Sequence, residues 1–186
     1  MRPSLHRRSL MPLVCSLVLT AAGFADAAIG TPSGAAVAFS ARGTAGLNIE
    51  GVTHELALEE RDGNVVFRVP LAGLDTGISL RNRHMRGYLD VTHFPVAELD
   101  VSKSLVALAS PGAPKESDAT GTLTLHGVSK PCSIHYRVEQ VQSGEYRVHG
   151  TTRIDIRDFG IAVPTYLGIS VDPAVAVQVD FSVHDQ

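Results

Sequence analysis

The stretch Ala174-Val175-Ala176-Val177-Gln178-Val179-Asp180-Phe181-Ser182-Val183-His184 decides the fold class of this chain. Its odd positions, from Val175 to Val183, all carry large apolar side chains, and most of its even positions are small or polar. Successive side chains of a strand point to opposite faces, so this period of two predicts a β-strand with one apolar face. An amphipathic helix would instead repeat its apolar residues every three or four positions.

The same alternation recurs along the rest of the chain. Cys132, Ile134, Tyr136 and Val138 alternate with polar residues, and similar runs lie near 35–42, 47–58, 64–71, 96–108, 119–126 and 145–156. About eight strands with one apolar face predict an all-β fold that closes into an antiparallel barrel or a two-sheet sandwich. One short helix is expected over Leu80–Tyr88, with Ser79 as its N-cap.

One strand register can be predicted from the apolar pattern. If 126–131 forms a hairpin connection, Leu125 faces Cys132 and Leu123 faces Ile134, with Thr124 opposite Ser133. All apolar pairs then share one face, whereas a slip by one residue would mix the two faces. A barrel of about eight such strands has room for one small ligand inside.

The N-terminus has the features of a secretory signal. A basic segment with Arg2, Arg7 and Arg8 precedes an apolar run over 10–24, and Ala25-Asp26-Ala27 carries small residues at the positions that signal peptidase reads. We therefore expect residues 1–27 to be a signal peptide and residues 28–186 to be one domain, located in the periplasm or secreted. The run is too short for a stable membrane anchor, and Pro12 interrupts it.

Composition narrows the classes of function. The 186-residue chain has a net charge of −3, which becomes −5 when three arginines and one aspartate leave with the signal segment. An acidic balance does not favour nucleic-acid binding by phosphate neutralisation. Cys132 is then the one remaining cysteine and is expected to be a buried small hydrophobic residue.

Few residues point to catalysis or to a metal. The sequence has no glycine-rich phosphate loop or nucleophile elbow, and none of its histidines forms an H-x-H or H-x-x-x-H pair on a predicted element. We therefore predict no catalytic residue and no metal site. The densest cationic cluster is Arg81-Asn82-Arg83-His84-Met85-Arg86. It is either an exposed helical face or a polar rim at a pocket mouth that holds a polar headgroup.

Four motifs in order resemble the YceI-like family of secreted lipid-binding barrels. They are the segments 81–85, 90–99, 121–131 and 158–161, which read RNRHM, DVTHFPVAEL, GTLTLHGVSKP and DFGI. The resemblance covers most of the chain, from about Ala36 to His184. It implies an eight-stranded antiparallel lipocalin-like barrel with one or two short helices. It also implies a non-enzymatic binding or carrier protein for a polyisoprenoid, quinone-type lipid or fatty amide, held non-covalently and without any other cofactor.

On this basis we predict an apolar lining and a polar rim. Arg81 and His84 are the predicted headgroup rim. The predicted lining consists of the inward apolar residues Phe39, Phe67, Met85, Tyr88, Phe94, Leu99, Leu123, Leu125, Ile134, Tyr136, Tyr166, Val177 and Phe181.

Other functions stay open at this level. The barrel could be a structural or interaction module that its own side chains fill, or less readily a histidine-dependent hydrolase. An unpaired strand edge would favour a homodimer.

Overall fold

A computed structural model describes residues 32–106 and 109–184 of the chain, and it is dominated by β-strands. Between β4 and β5 lies one α-helix, α1, at Ser79–Tyr88, and four short 3-10 helices follow strand ends. The strands are β1 (Ser33–Gly43), β2 (Asn48–Thr53), β3 (Ala57–Arg61), β4 (Asn64–Pro70), β5 (Val96–Ser102), β6 (Lys115–Leu125), β7 (Val128–Gln142), β8 (Glu145–Asp155), β9 (Thr165–Tyr166) and β10 (Ile169–His184).

Nine of these strands form one antiparallel sheet in the order β2-β1-β10-β8-β7-β6-β5-β4-β3, and β9 pairs with the start of β10. The sheet curls into the predicted lipocalin-like outline, but the predicted count of eight strands is wrong. The apolar run near 47–58 divides into β2, which pairs with β1, and β3, which pairs with β4. Residues 54–56 therefore carry the chain from one edge of the sheet to the other, and the described residues record no ladder between β2 and β3.

The β6–β7 hairpin is tighter than the sequence pattern predicted. Leu125 pairs with Val128 and Gly121 with Cys132, so the predicted pairing of Leu125 with Cys132 is wrong by four residues. The reason is a two-residue turn at His126 and Gly127, whose φ values of 52° and 74° fit a tight hairpin turn. A shift by an even number keeps each side chain on its face, so the predicted inward residues still point inward.

Two apolar clusters lie on the inner face of the curled sheet. One contains Val101, Ala109, Ala119, Cys132, Ile134, Tyr136 and Val138, which are all buried. The other lies beneath α1 and contains Leu71, Leu74, Leu125, Phe159 and Ile161, with Met85 and Tyr88 of α1 packed against it. These clusters and the sheet form the wall of the candidate site.

The helix begins one residue earlier than predicted. Ser79 is its first residue and Ile78 holds the N-cap position, with no capping hydrogen bond from a side chain. Ser79 is therefore not the cap that the sequence predicted. The predicted signal peptide over residues 1–27 lies outside the described residues.

Candidate functional site

The curled sheet surrounds an internal cavity of about 1390 Å³. Its wall follows the period of two, because alternate residues of each strand face it. In β10 these are Val175, Val177, Val179, Phe181 and Val183, and in β7 they are Cys132, Ile134, Tyr136 and Val138. The cavity is larger than the roughly 300–1,000 Å³ of ordinary small-molecule pockets. It therefore has space for a long ligand.

Aliphatic and aromatic side chains make up most of the wall, and its charged residues lie at the two ends of the strands. At one end, where β3 finishes and β5 has just finished, Glu60 and Lys103 line the cavity. The Lys103 Nζ atom lies 2.8 Å and 3.0 Å from the two carboxylate oxygens of Glu60. The side chain of Glu60 is 12% exposed and that of Lys103 is 41% exposed, so the pair is buried on the carboxylate side and open to water on the ammonium side.

At the other end the chain leaves β4 and forms α1. Arg81, His84, Met85 and Tyr88 are spaced by three or four residues and so share one face of the helix, and all four line the cavity. No described residue lies within hydrogen-bonding or ion-pair distance of the Arg81 guanidinium or the His84 imidazole. Charged groups at the mouth of an apolar cavity could bind a polar headgroup.

A short hydrogen-bond network attaches α1 to the edge of the sheet. The Asn82 side chain accepts from the Thr76 backbone N–H at 2.8 Å and donates to Asp75 Oδ1 at 2.7 Å. Asp75 in turn pairs through its backbone with Val52 of β2. The hydrogen bond from Asn82, followed by that from the Gly77 N–H, lowers the pKa of the exposed Asp75 carboxyl. The network fixes the position of the helix over the cavity.

Most of the predicted lining residues are in the cavity wall. They are Phe39, Phe67, Met85, Tyr88, Leu99, Leu123, Leu125, Ile134, Tyr136, Val177 and Phe181. Whether each of them contacts a ligand stays a prediction. The side chain of Tyr166, also predicted to line the cavity, lies outside the part of the chain that the structure describes.

Phe94 is not in the wall, contrary to the prediction. Its ring packs against the His126 ring, with centroids 4.9 Å apart, next to the turn at Gly127. The inward residues of the following strand are Ala97, Leu99 and Val101, and Phe94 is out of phase with them. The phase of β5 therefore places Phe94 outside the wall.

Several wall residues are not among the predicted lining residues. Tyr146, Val148 and Ile154 of β8 line the cavity, and the alternation over 145–156 is the signal that could have identified them. The Glu60–Lys103 pair had no such signal. Its partners lie 43 residues apart in the sequence, and only the fold brings them together.

The turn at 157–160 is held by Asp155, whose carboxylate accepts hydrogen bonds from the side chain and the backbone of Arg157. These bonds lower the pKa of Asp155, and the turn ends at Gly160 in the left-handed conformation. Phe159 between them is buried in the cluster beneath α1.

Several histidines form pairs away from the cavity. His149 lies 2.7 Å from Asp180 and His135 lies 3.0 Å from Asp118, both on outward positions of their strands. His126 lies 3.1 Å from the backbone oxygen of Phe159. Across the part of the chain that the structure describes, no three His, Cys, Asp or Glu side chains are grouped as metal ligands. Cys132 is buried as predicted, and its Sγ lies 3.2 Å from Thr152 Oγ1.

Comparison with protein families gives one match that spans most of the chain. The model of the YceI-like domain matches residues 29–183. Proteins described as UPF0312 from Pseudomonas savastanoi pv. phaseolicola and Pseudomonas syringae pv. syringae are 38% identical over 100 residues. The match covers 50% of this chain, and the chain spans about half the length of these curated relatives.

Solved structures share the fold at low sequence identity. A polyisoprenoid binding domain from Saccharophagus degradans, implicated in plant cell wall breakdown, has a TM-score of 0.70 and 19% identity, covering 86% of this chain and 99% of that one. BcnA from Burkholderia cenocepacia has a TM-score of 0.63 and 16% identity, covering 80% and 95%. The Campylobacter jejuni YCEI protein has a TM-score of 0.56 and 16% identity, covering 75% and 86%.

Over residues 32–106 and 109–184, no helix combines the length and the hydropathy that are needed to cross a bilayer.

Proposed function

This chain belongs to the YceI-like domain family, and from that premise we propose that it is a binding or carrier protein for a long apolar lipid held inside the barrel. The observation that carries the proposal is the internal cavity of about 1390 Å³ with its largely aliphatic and aromatic wall. The description of the Saccharophagus degradans neighbour as a polyisoprenoid binding domain supports the same ligand class. The ligand is a polyisoprenoid, a quinone-type lipid or a fatty amide, bound without a covalent link.

The energetics of burial favour such a ligand. Apolar surface removed from water contributes roughly 25 cal/mol per Å². A prenyl chain exposes little except methyl and methylene groups, so the cavity wall would bind it with few hydrogen bonds. The cost of ordering a flexible chain offsets part of this gain. The cavity has the composition that this balance requires.

The headgroup of the ligand binds at the α1 end in this proposal. Arg81 and His84 face the cavity there beside Met85 and Tyr88. The charged groups at the other end, Glu60 and Lys103, already form an ion pair with each other. A polar headgroup would therefore find more available donors on α1.

The remaining features of the proposal follow from the N-terminal sequence and the sheet. After cleavage near Ala27 the protein works in the periplasm or outside the cell, without a stable membrane anchor, a nucleic-acid partner or a catalytic role. Within the described residues β3 pairs only with β4, so its outer edge is where a homodimer would form by strand pairing.

The cavity leaves the filled-barrel alternative without support, because a barrel filled by its own side chains has no such space. The histidine-dependent hydrolase is also less favoured, because His84 and His184 line the cavity at opposite ends and the His149 and His135 pairs lie on the outward side of the sheet.

Native mass spectrometry of the full chain, expressed with its N-terminal segment and purified without detergent, tests the proposal. We expect a population heavier than the protein alone, from which organic extraction releases a long-chain lipid. A protein that carries no lipid and does not take up an added isoprenoid quinone would contradict the proposal.

A further inference from the structure

The tip of the β9–β10 hairpin carries a residue that local physical chemistry does not favour. Thr165 and Tyr166 pair with Ser170 and Ile169, which leaves Leu167 and Gly168 as a two-residue turn. Leu167 has φ of 47°, a conformation that asparagine, aspartate and glycine adopt more readily than leucine. Its side chain is also 84% exposed to solvent. Leu167 therefore destabilises the folded protein in water in two ways, through backbone strain and through exposed apolar surface.

The segment around this tip has no charged residue. Between Asp158 and Asp172 the sequence reads FGIAVPTYLGISV, and Ile169 beside the turn is also exposed. A hairpin in contact only with water would normally carry polar residues at its turn. The composition indicates that this tip meets an apolar environment.

The start of α1 presents a second exposed apolar group. Leu80 is 56% exposed and Ile78 is 48% exposed. They stand at the start of a helix that has three arginines, Arg81, Arg83 and Arg86, and no acidic residue, in a chain whose net charge is −3. Long apolar and cationic side chains together are typical of surfaces that lie on anionic bilayers.

Both features lie at one mouth of the cavity. Ile78 and Leu80 line it from α1, and Pro164 and Ile169 line it from the β9–β10 hairpin. Near α1, the Asp75 carboxylate accepts a hydrogen bond from Asn82, and Asp90 lies 2.8 Å from His93 Nδ1. We name this end the mouth surface and define it by Ile78, Leu80, Leu167, Ile169 and the arginines of α1.

We propose that the mouth surface docks on an anionic phospholipid bilayer. Leu167 and Leu80 enter the interfacial region, and the exposed Arg83 lies against lipid phosphates, with Arg86, whose Nε donates to the Ala72 backbone oxygen at 3.1 Å, beside it. Charge complementarity favours this partner, because the cationic helix stands out on an acidic protein. Docking in this orientation would place the cavity opening against the membrane. The inference concerns the outer surface, and it can be tested without knowing the ligand of the cavity.

Leu167→Asn is the central test, measured by co-sedimentation with vesicles of phosphatidylcholine and phosphatidylglycerol. Asparagine fits the positive φ of this turn, so the variant should fold as well as the parent protein. We expect its vesicle binding to weaken about tenfold, because one inserted leucine is lost. Leu167 is not part of the cavity wall, and the lipid content found by native mass spectrometry should stay unchanged.

Leu105→Gln is the matched control. Leu105 is also 48% exposed, but it lies at the Glu60–Lys103 end of the barrel. Its replacement should leave vesicle binding unchanged. Equal losses in Leu105→Gln and Leu167→Asn would contradict docking through the mouth surface.

Arg83→Gln tests the electrostatic part of the proposal. We expect binding to phosphatidylglycerol-containing vesicles to weaken about fivefold for one lost arginine. Added salt should weaken the binding of the parent protein as well, and vesicles of phosphatidylcholine alone should bind poorly. The proposal would be wrong if the protein did not bind anionic vesicles, or if Leu167 instead mediated the formation of a dimer. If the protein contained bound lipid but did not bind vesicles, the proposed carrier function would still stand.

Discussion

At the scale of single residues, Arg81 has the most specific consequence for ligand recognition. It is half-buried on the cavity face of α1, and no described carboxylate lies within ion-pair distance of its guanidinium. A guanidinium carries five N–H donors in a fixed plane, which suits a carboxylate, phosphate or quinone oxygen. In the proposed function these donors serve the ligand rather than the fold.

Arg81→Ala should weaken binding of a polar-headed prenyl lipid about 10- to 100-fold, since a hydrogen bond to a charged group contributes about 1.5–3 kcal/mol. Uptake of a plain hydrocarbon of similar length should change little. Binding can be followed by competition with a fluorescent lipid. Arg42→Ala is the control, because Arg42 is exposed at the same end of the barrel and is absent from the cavity wall. If both lipids lose affinity equally, Arg81 has a structural role.

At the scale of elements, the turn at His126 and Gly127 fixes how β6 and β7 pair. Gly127 has φ of 74°, and a Cβ atom there would lie 2.5 Å from the Phe94 ring. The turn therefore needs glycine both for its backbone conformation and for the close approach of Phe94. The turn at Asp62 and Gly63 has similar angles, but a Cβ on Gly63 would meet no atom within 4 Å.

This contrast predicts two different losses of stability. Gly63→Ala should lower the free energy of unfolding by about 1 kcal/mol, because alanine at positive φ is strained. Gly127→Ala should lower the free energy of unfolding by about 1–3 kcal/mol more than Gly63→Ala does, because the added methyl group collides with Phe94. Urea unfolding of lipid-stripped protein measures both, since bound lipid would add stability of its own. Similar losses in the two variants would show that Phe94 can move aside.

At the scale of the whole molecule, the cavity extends from the Glu60–Lys103 pair to α1 along the strands. An 11-residue strand such as β1 spans about 36 Å at about 3.3 Å per residue. Val177 lies midway along β10, opposite Phe39 of β1 and Thr152 of β8. A bulky side chain at this position would divide the cavity into two shorter spaces.

Val177→Trp should therefore leave the barrel folded and shift the bound lipids to shorter chains, as read from masses released in native mass spectrometry. Gln178→Trp is the control on the next residue of β10, whose side chain is exposed on the other face. It should leave the lipid masses unchanged. An unchanged length distribution in Val177→Trp would place the ligand outside the middle of the cavity.

The alternation of apolar residues was enough to predict the strands and the face that each side chain occupies. This held even where the register was wrong, since the four-residue shift between β6 and β7 preserved the inward positions of Leu123, Leu125 and Ile134. A period of two is a local property of the extended backbone. The face that each side chain occupies is therefore unchanged when the strand register shifts by an even number of residues.

Only the tertiary structure decided which end of the barrel each group occupies. Three features depend on the arrangement of distant segments: the division of 47–58 into β2 and β3, the Glu60–Lys103 pair, and the lining of one cavity by both Ile78 and Ile169. A local pattern determines which face of its strand a side chain occupies, but not which distant segment of the chain it contacts. Those contacts depend on how the whole sheet curls, which no single strand determines.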